Sequence, residues 1–268
     1  MDEKYKIYNG DCLEVMDKLI EQGIKVDAVI CDLPYGITGY KWDSVIPFNK
    51  MWDKVNKLIK ADCAIVLFGR EPFTSALRMS NISNYKYEWY WNKISSGNFV
   101  GAKFAPFKII ENICIFSNGK CPYNPQMIER TEKEINDYIA KSRNNNITVK
   151  NDYLYDGFKS GVIVPSSNPK YKYPVNLLNF NWKAKECNSR YRVHPTQKPV
   201  DLLEYLVKTY TNEGDLILDF TMGSGSTGVA CLNTNRRFIG IEKEEKYFII
   251  TKERLEDAKL NNRQKKLF

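Results

Sequence analysis

The stretch DLILDFTMGSGSTGVA, residues 215–230, limits the folds open to this chain more than any other. It sets an apolar, β-branched run directly before Gly223-x-Gly225-x-x-Gly228, and the residues after the glycines read as the start of a helix. A second strand, RRFIGIE, follows and ends on Glu242, 23 residues beyond Asp219. Strand, tight glycine turn, helix and parallel strand form a βαβ unit. Its turn lets the backbone pass close to a ligand, and the acid at the tip of the second strand is placed to accept both hydroxyls of a ribose.

That pattern serves dinucleotides, so a hydride-transfer enzyme is one reading. Asp219 favours another. At the carboxyl end of the first strand it would face a doubly negative pyrophosphate, whereas a ligand bearing an ammonium group and a sulfonium would suit a carboxylate there. S-adenosylmethionine carries both, along with the ribose that Glu242 needs.

The same alternation recurs at the other end of the chain. KIYNGD is followed by a helix near 12–22, VDAVICD by a helix near 48–60, and then comes CAIVLFG. Strands that alternate with helices predict a parallel sheet with helices on both faces. YKYEWYWNK and ENICIFS add two strands that could close the sheet edge. HPTQKPVDLLEYLVKTY opens a helix with Pro199 at its first position and Leu202, Leu203, Leu206 and Val207 on one apolar face. A charged helix spans 244–260, and the basic end NNRQKKLF reads as a frayed tail.

Between about 119 and 192 this regularity dissolves into Asn, Ser, Pro and Tyr, over a length too great for an ordinary connection. Of the chain's formal charge of +8, the span from Lys120 to Arg192 carries +6, with 13 basic and 7 acidic residues. Tyr153, Tyr155, Phe158, Tyr171, Tyr173, Trp182 and Tyr191 lie among them. Cations interleaved with rings suit phosphates and bases, and a solvated basic surface over Tyr-rich packing is the other reading.

The strand VDAVICD runs into Leu33-Pro34-Tyr35-Gly36. An exocyclic amino group on a nucleobase is a poor nucleophile because its lone pair is delocalised into the ring. Two acceptors aimed at its two N–H bonds would draw the nitrogen toward tetrahedral geometry and free that pair. Asp32 offers a carboxylate, and the Leu33 carbonyl offers the second acceptor. Pro34 pushes Leu33 out of the helical region and so fixes that carbonyl's angle. Tyr35 supplies a flat face for a base swung out of the duplex, and Gly36 leaves room for the ring.

With both motifs in view, the chain resembles the amino-methylating (adenine-N6 or cytosine-N4) DNA methyltransferases of β-type motif order. DLPYG is similar to their catalytic Asp-Pro-Pro-Tyr, DFTMGSGSTG to their donor loop, HPTQKPVDLLEYLV to the segment flanking the donor's methionine end, and YNGDCLEVM to the motif whose acid approaches its adenine. The family usually has proline where this chain has Leu33. Because the acceptor is a main-chain carbonyl, the change loosens the backbone and preserves the chemistry.

The resemblance implies an α/β, doubly wound, mostly parallel sheet of the S-adenosylmethionine-dependent type, circularly reordered. It implies a catalytic half over 1–118, a basic target-recognition insertion over 119–192 and a donor-binding half over 193–268. It also implies Asp32, Leu33, Pro34 and Tyr35 at the target base. Asp11, Asp219, Phe220, Gly223, Gly225 and Glu242 are expected around S-adenosylmethionine, with Thr196 and Lys198 at its carboxylate. The reaction expected is site-specific methylation of a flipped adenine in double-stranded DNA; adenine is preferred because an Asp rather than a Ser opens the catalytic motif. Cytosine-N4 methylation, or a catalytically silent DNA-binding protein of the same fold, are the alternatives. A homodimer and a cognate restriction endonuclease are further partners left open.

Other chemistries find less support. The lone histidine, His194, with scattered cysteines assembles no zinc or iron site, and no metal is expected. Cys31 reads as a buried strand thiol rather than a nucleophile. Asp43 and Asp53 flank Trp42 and Trp52 without the further acids a nuclease metal site needs. Ser224 and Ser226 lack a histidine base in sequence context. Seven cysteines without C-x-x-C spacing suggest free thiols in a reducing compartment. No run approaches the roughly 18 apolar residues of a membrane span. A cytoplasmic protein away from membranes is therefore expected.

Overall fold

Val26 to Cys31 are almost all apolar and β-branched or small, which suits a strand covered on both faces. In the computed structural model this run is fully built into the centre of a sheet. The structure describes residues 4–40, 42–94, 103–144, 168–182, 193–194 and 196–265. Tyr153, Tyr155, Phe158 and Tyr191 of the basic region, and the last three residues of the tail, lie outside them.

In chain order the elements are β1 (Tyr5–Asn9), α1 (Cys12–Glu21), β2 (Val26–Asp32), α2 (Phe48–Leu58), β3 (Ile59–Gly69), α3 (Phe73–Ser80), β4 (Tyr85–Asn92), β5 (Ile110–Phe116), β6 (Ile128–Glu129), α4 (Glu132–Asn144), β7 (Tyr171–Lys172), β8 (Leu177–Asn179), α5 (Val200–Tyr210), β9 (Leu216–Asp219), α6 (Ser226–Asn233), β10 (Arg237–Glu242) and α7 (Glu245–Lys265). Eight strands form one sheet in the order β1-β10-β9-β2-β3-β5-β4-β8. All neighbours are parallel except β3 with β5 and β5 with β4. The expected α/β class and mostly parallel sheet are present, and the C-terminal strands β9 and β10 lie between β1 and β2, which is the circular reordering.

Alternation along β2 builds two cores. Val29 and Cys31 face one side, where they join Met16 and Leu19 of α1, Met51, Val55 and Leu58 of α2, and Leu77 of α3. Ala28 and Ile30 face the other, packed with Leu202, Leu206 and Tyr210 of α5, Cys231 of α6 and Leu255 of α7. Helices from the first half of the chain therefore cover one face, and those from the second half cover the other. They change face between β9 and β2, the point at which open α/β sheets leave a crevice beyond their carboxyl ends.

Several local expectations differ from what is found. Pro199 caps α5 with extended backbone (φ −60°, ψ 134°) and the helix begins one residue later. The final helix runs to Lys265 because nothing from 260 to 265 is a glycine or proline stop. Helix α3 has only eight residues and gave no readable periodicity. Within the irregular region, α4 starts on a capping box: Glu134 N donates to Thr131 Oγ1 at 3.3 Å and Thr131 N donates to Glu134 Oε2 at 2.9 Å.

The described residues between 125 and 175 cluster as a compact unit of their own. Inside it, β6 and β7 pair antiparallel, Arg130 Nη1 donates to the Pro169 carbonyl at 2.9 Å, and the Arg130 guanidinium lies 4.3 Å from the Tyr138 ring centroid. Strand β8 belongs with the main sheet. Among the described residues no helix is long and apolar enough to cross a membrane.

Candidate active site

The crevice is built by the turns after β9 and β2, which are stitched together by side chains as well as by the ladder. Cys31 Sγ donates to Asp219 Oδ1 at 3.1 Å and accepts from Phe220 N at 3.0 Å, and Thr221 Oγ1 donates to the Asp32 carbonyl at 3.0 Å. Asp219 is buried, and burial pushes its carboxyl up to about 6, against the hydrogen bonds from Thr227 and Cys31 that lower it. Phe220 is buried beside it.

The glycine loop bends in the left-handed region, with φ 52° at Gly223 and 75° at Gly225. A Cβ on Gly225 would come within 2.5 Å of Thr251 Cγ2, and one on Gly228 within 2.7 Å of the Phe238 ring, so both positions exclude larger residues. Glu242 steadies the loop. Its Oε2 accepts from Gly223 N at 2.9 Å and its Oε1 from Glu244 N at 2.8 Å, while burial raises its carboxyl to about 7. Asp11 caps α1 through Leu13 N at 2.9 Å and stands 3.6 Å from the Lys243 ammonium. Asp11, Asp219, Phe220, Gly223 and Glu242 all line one cavity of about 160 Å³. Gly225, expected at the cofactor, is not among the residues that line it.

Asp32, Leu33 and Pro34 line the same cavity, and Asp32, Leu33 and Tyr35 line a second one of about 210 Å³. The two therefore meet at the DLPYG turn. Asp32 is engaged on both oxygens: the Tyr35 hydroxyl donates to Oδ1 at 2.6 Å and the Lys198 ammonium to Oδ2. Burial raises the Asp32 carboxyl, and Lys198 opposes that rise. The Tyr35 ring packs tilted on Phe73, 5.1 Å between centroids.

Lys198, expected at the donor's carboxylate, lines both cavities and bridges Asp32 to the buried Glu111 on β5, with Glu111 Oε2 3.6 Å from its ammonium. Glu111 also pairs with Lys93. Burial works to raise the Glu111 carboxyl, yet Lys198 and Lys93 hold it below the ordinary range. Thr196 borders both cavities, and its hydroxyl lies 3.1 Å from His194 Nδ1.

Four residues were not singled out for this site by the sequence. Trp42 lines both cavities and packs against Tyr40 (5.2 Å, nearly parallel) and His194 (5.1 Å). His194 also meets Tyr247 edge-on at 4.1 Å, which makes it wall rather than ligand. Asp43 gathers the loop after the motif by accepting from Gly36 N, Ile37 N and Thr38 N at 2.9, 3.0 and 2.7 Å. Burial would raise its carboxyl, and these hydrogen bonds hold it below the usual range instead. Glu111 carried no sequence signal at all. Lone acids on apolar strands seldom do, whereas Asp43, seven residues after Gly36, could have been read as a loop clasp.

A doubly wound sheet with two cavities that share a wall at the crevice, one rimmed by carboxylates and the other by aromatic rings, defines an α/β protein with room for two ligands side by side. The DNA methylase family model for N6 and N4 enzymes matches residues 26–253, and the chain belongs to that family. Over 92% of this chain and 95% of the relative, it is 26% identical to the Type II methyltransferase M1.MboII of Moraxella bovis. To M2.DpnII of Streptococcus pneumoniae it is 54% identical over 63 residues, and that match spans 24% of each protein. The M1.HpyAVI–SAM complex shares the fold, with TM-score 0.62, 24% identity and coverage of 94% of this chain and 98% of that one. So does the cytosine-N4-specific PvuII DNA methyltransferase, with TM-score 0.60, 16% identity and 97% and 93% coverage.

Proposed function

We propose that this protein is a site-specific DNA methyltransferase that transfers the methyl group of S-adenosylmethionine to the exocyclic amino group of an adenine swung out of duplex DNA. The observation that carries this reading is Asp32, a carboxylate on the wall common to both cavities. From that wall one group can face a nucleobase while a donor lies beside it.

The donor cavity suits the proposed cofactor. Burial pushes the carboxyls of Asp219 to about 6 and of the half-buried Glu242 to about 7, and a ligand that brings an ammonium and ribose hydroxyls adds donors that favour their ionised forms. Each Glu242 oxygen already accepts one backbone N–H and keeps a lone pair for a hydroxyl. Asp11 at the far rim would face the adenine portion. S-adenosylmethionine, when bound, supplies a methyl group on positively charged sulfur.

Asp32 accepts one amino N–H of the base and the Leu33 carbonyl accepts the other, so nitrogen's lone pair turns toward the donor cavity. Pro34 and the Thr221 hydrogen bond to the Asp32 carbonyl hold both acceptors in place. The Tyr35 hydroxyl fixes the Asp32 carboxylate, and its ring, with Trp91 and Trp182, gives the second cavity aromatic walls against which a base can stack. As positive charge develops on the nitrogen, Asp32 stabilises it and takes the departing proton or passes it to water.

Residues 119–192 are assigned the DNA contact, on the strength of their excess positive charge. Adenine is assigned by analogy with family members whose catalytic motif opens with Asp. Incubation of unmethylated genomic DNA with tritiated S-adenosylmethionine, followed by nucleoside mass spectrometry, should yield N6-methyladenine. N4-methylcytosine would overturn the choice of base, and absence of any methylated nucleoside would overturn the activity.

A further inference from the structure

Asp32 lines both cavities, and each of its carboxylate oxygens already accepts one hydrogen bond. The Tyr35 hydroxyl holds Oδ1 at 2.6 Å and the Lys198 ammonium holds Oδ2. An ammonium makes a charge-assisted hydrogen bond to a carboxylate, stronger than the neutral N–H of a base amine. An amino group reaching for Oδ2 therefore meets a competitor already seated there.

Beside that competitor lies a second acceptor. Glu111 Oε2 is buried, accepts no hydrogen bond, and stands 3.6 Å from the Lys198 ammonium, while Lys93 holds the other oxygen, Oε1. A buried carboxylate oxygen without a hydrogen bond is costly, and closing this gap by less than about an ångström would satisfy it. We propose that Glu111 is a positioning residue that draws the Lys198 ammonium off Asp32 as the base's amino group docks, clearing Oδ2 to accept its N–H. The proposal rests on the reading of Asp32 as the amino-group acceptor.

The exchange strands no charge. Two carboxylates, Asp32 and Glu111, and two ammonium groups, Lys198 and Lys93, remain in contact throughout, with Tyr35, Asp43 and Arg70 as the other titratable groups on the wall. Lys198 and Glu111 are each 7% exposed, so each depends mainly on the charged groups beside it. Once the cation has moved, Asp32 is a stronger acceptor for an N–H whose nitrogen is gaining positive charge.

If Glu111 receives Lys198, then removing the receiver should harm the reaction, and removing the ammonium as well should relieve the harm. Single-turnover methyl transfer to unmethylated genomic DNA, with wild type, Glu111→Gln and Glu111→Gln/Lys198→Met compared at pH 8.5, reads this out. Glu111→Gln should be at least tenfold slower than wild type, with the thermal shift from S-adenosylhomocysteine retained, and the double variant should run at least threefold faster than the single one. A Glu111→Gln rate within twofold of wild type overturns the proposal, as does a double variant no faster than Glu111→Gln, which would mean Glu111 only braces Lys198. Should Glu111→Gln lack a cooperative melt, Glu111→Asp keeps the charge and shortens the reach; it should be slow, and a wild-type rate overturns the proposal. A silent wild type would instead sink the methyltransferase reading on which the proposal stands.

Discussion

The thiol of Cys31 donates to Asp219 Oδ1 across the junction of β2 and β9, 3.1 Å from sulfur to oxygen, and accepts the Phe220 N–H at 3.0 Å. The turn that carries the glycine loop is thereby tied to the strand that carries Asp32. Burial first, and the Asp219 charge second, push the thiol well above its ordinary value, so it is no thiolate nucleophile. Replacing Cys31 with Ala removes both hydrogen bonds and opens a small hole. The cost should be about 2 kcal/mol in denaturant unfolding, and S-adenosylhomocysteine should bind several-fold more weakly by calorimetry.

Acid and base should act on the first cavity in a defined sense. The Glu242 carboxyl is raised to about 7 and Asp219 to about 6, against about 4 in an unfolded chain. The folded protein then holds more protons than the unfolded one between about pH 4 and pH 7. Stability from these groups is fully present below that window and is lost as pH rises through it. Ligand-free wild type should lose more stability between pH 5 and pH 8 than Glu242→Gln does, measured by calorimetry. An equal or smaller loss in wild type would show that Glu242 is not strained when ionised.

Asp43 offers a test of how far the motif's loop governs its chemistry. Its carboxylate accepts three backbone N–H groups immediately after Tyr35. Asp43→Ala should cost about 2 kcal/mol of stability. Methyl transfer should slow at least tenfold while the S-adenosylhomocysteine thermal shift changes little, because Asp43 borders the second cavity and not the first.

Much of this site was legible because its residues stand in runs whose periodicity and turn chemistry are local. The glycine loop between β9 and α6, Glu242 at the end of β10 and Asp32 at the end of β2 follow from strand ends and spacing alone. What escaped depends on pairing over long sequence separations. Glu111 meets Lys198 only because β5 enters the sheet antiparallel beside β3, and nothing in ENICIFS announces that. Trp42 becomes a shared wall through His194, which is distant in sequence. Helix α4 was hidden because its charged, weakly amphipathic sequence resembles the irregular residues around it, although the Thr131 and Glu134 pair marks its start.

Removal of the Asp32 carboxylate probes the chemistry at its root. Single-turnover transfer of tritiated methyl groups to unmethylated DNA should fall about a thousandfold or more in Asp32→Ala. The folded state and the S-adenosylhomocysteine thermal shift should persist. Labelling within tenfold of wild type would contradict the account, since the amino group would then be activated without Asp32.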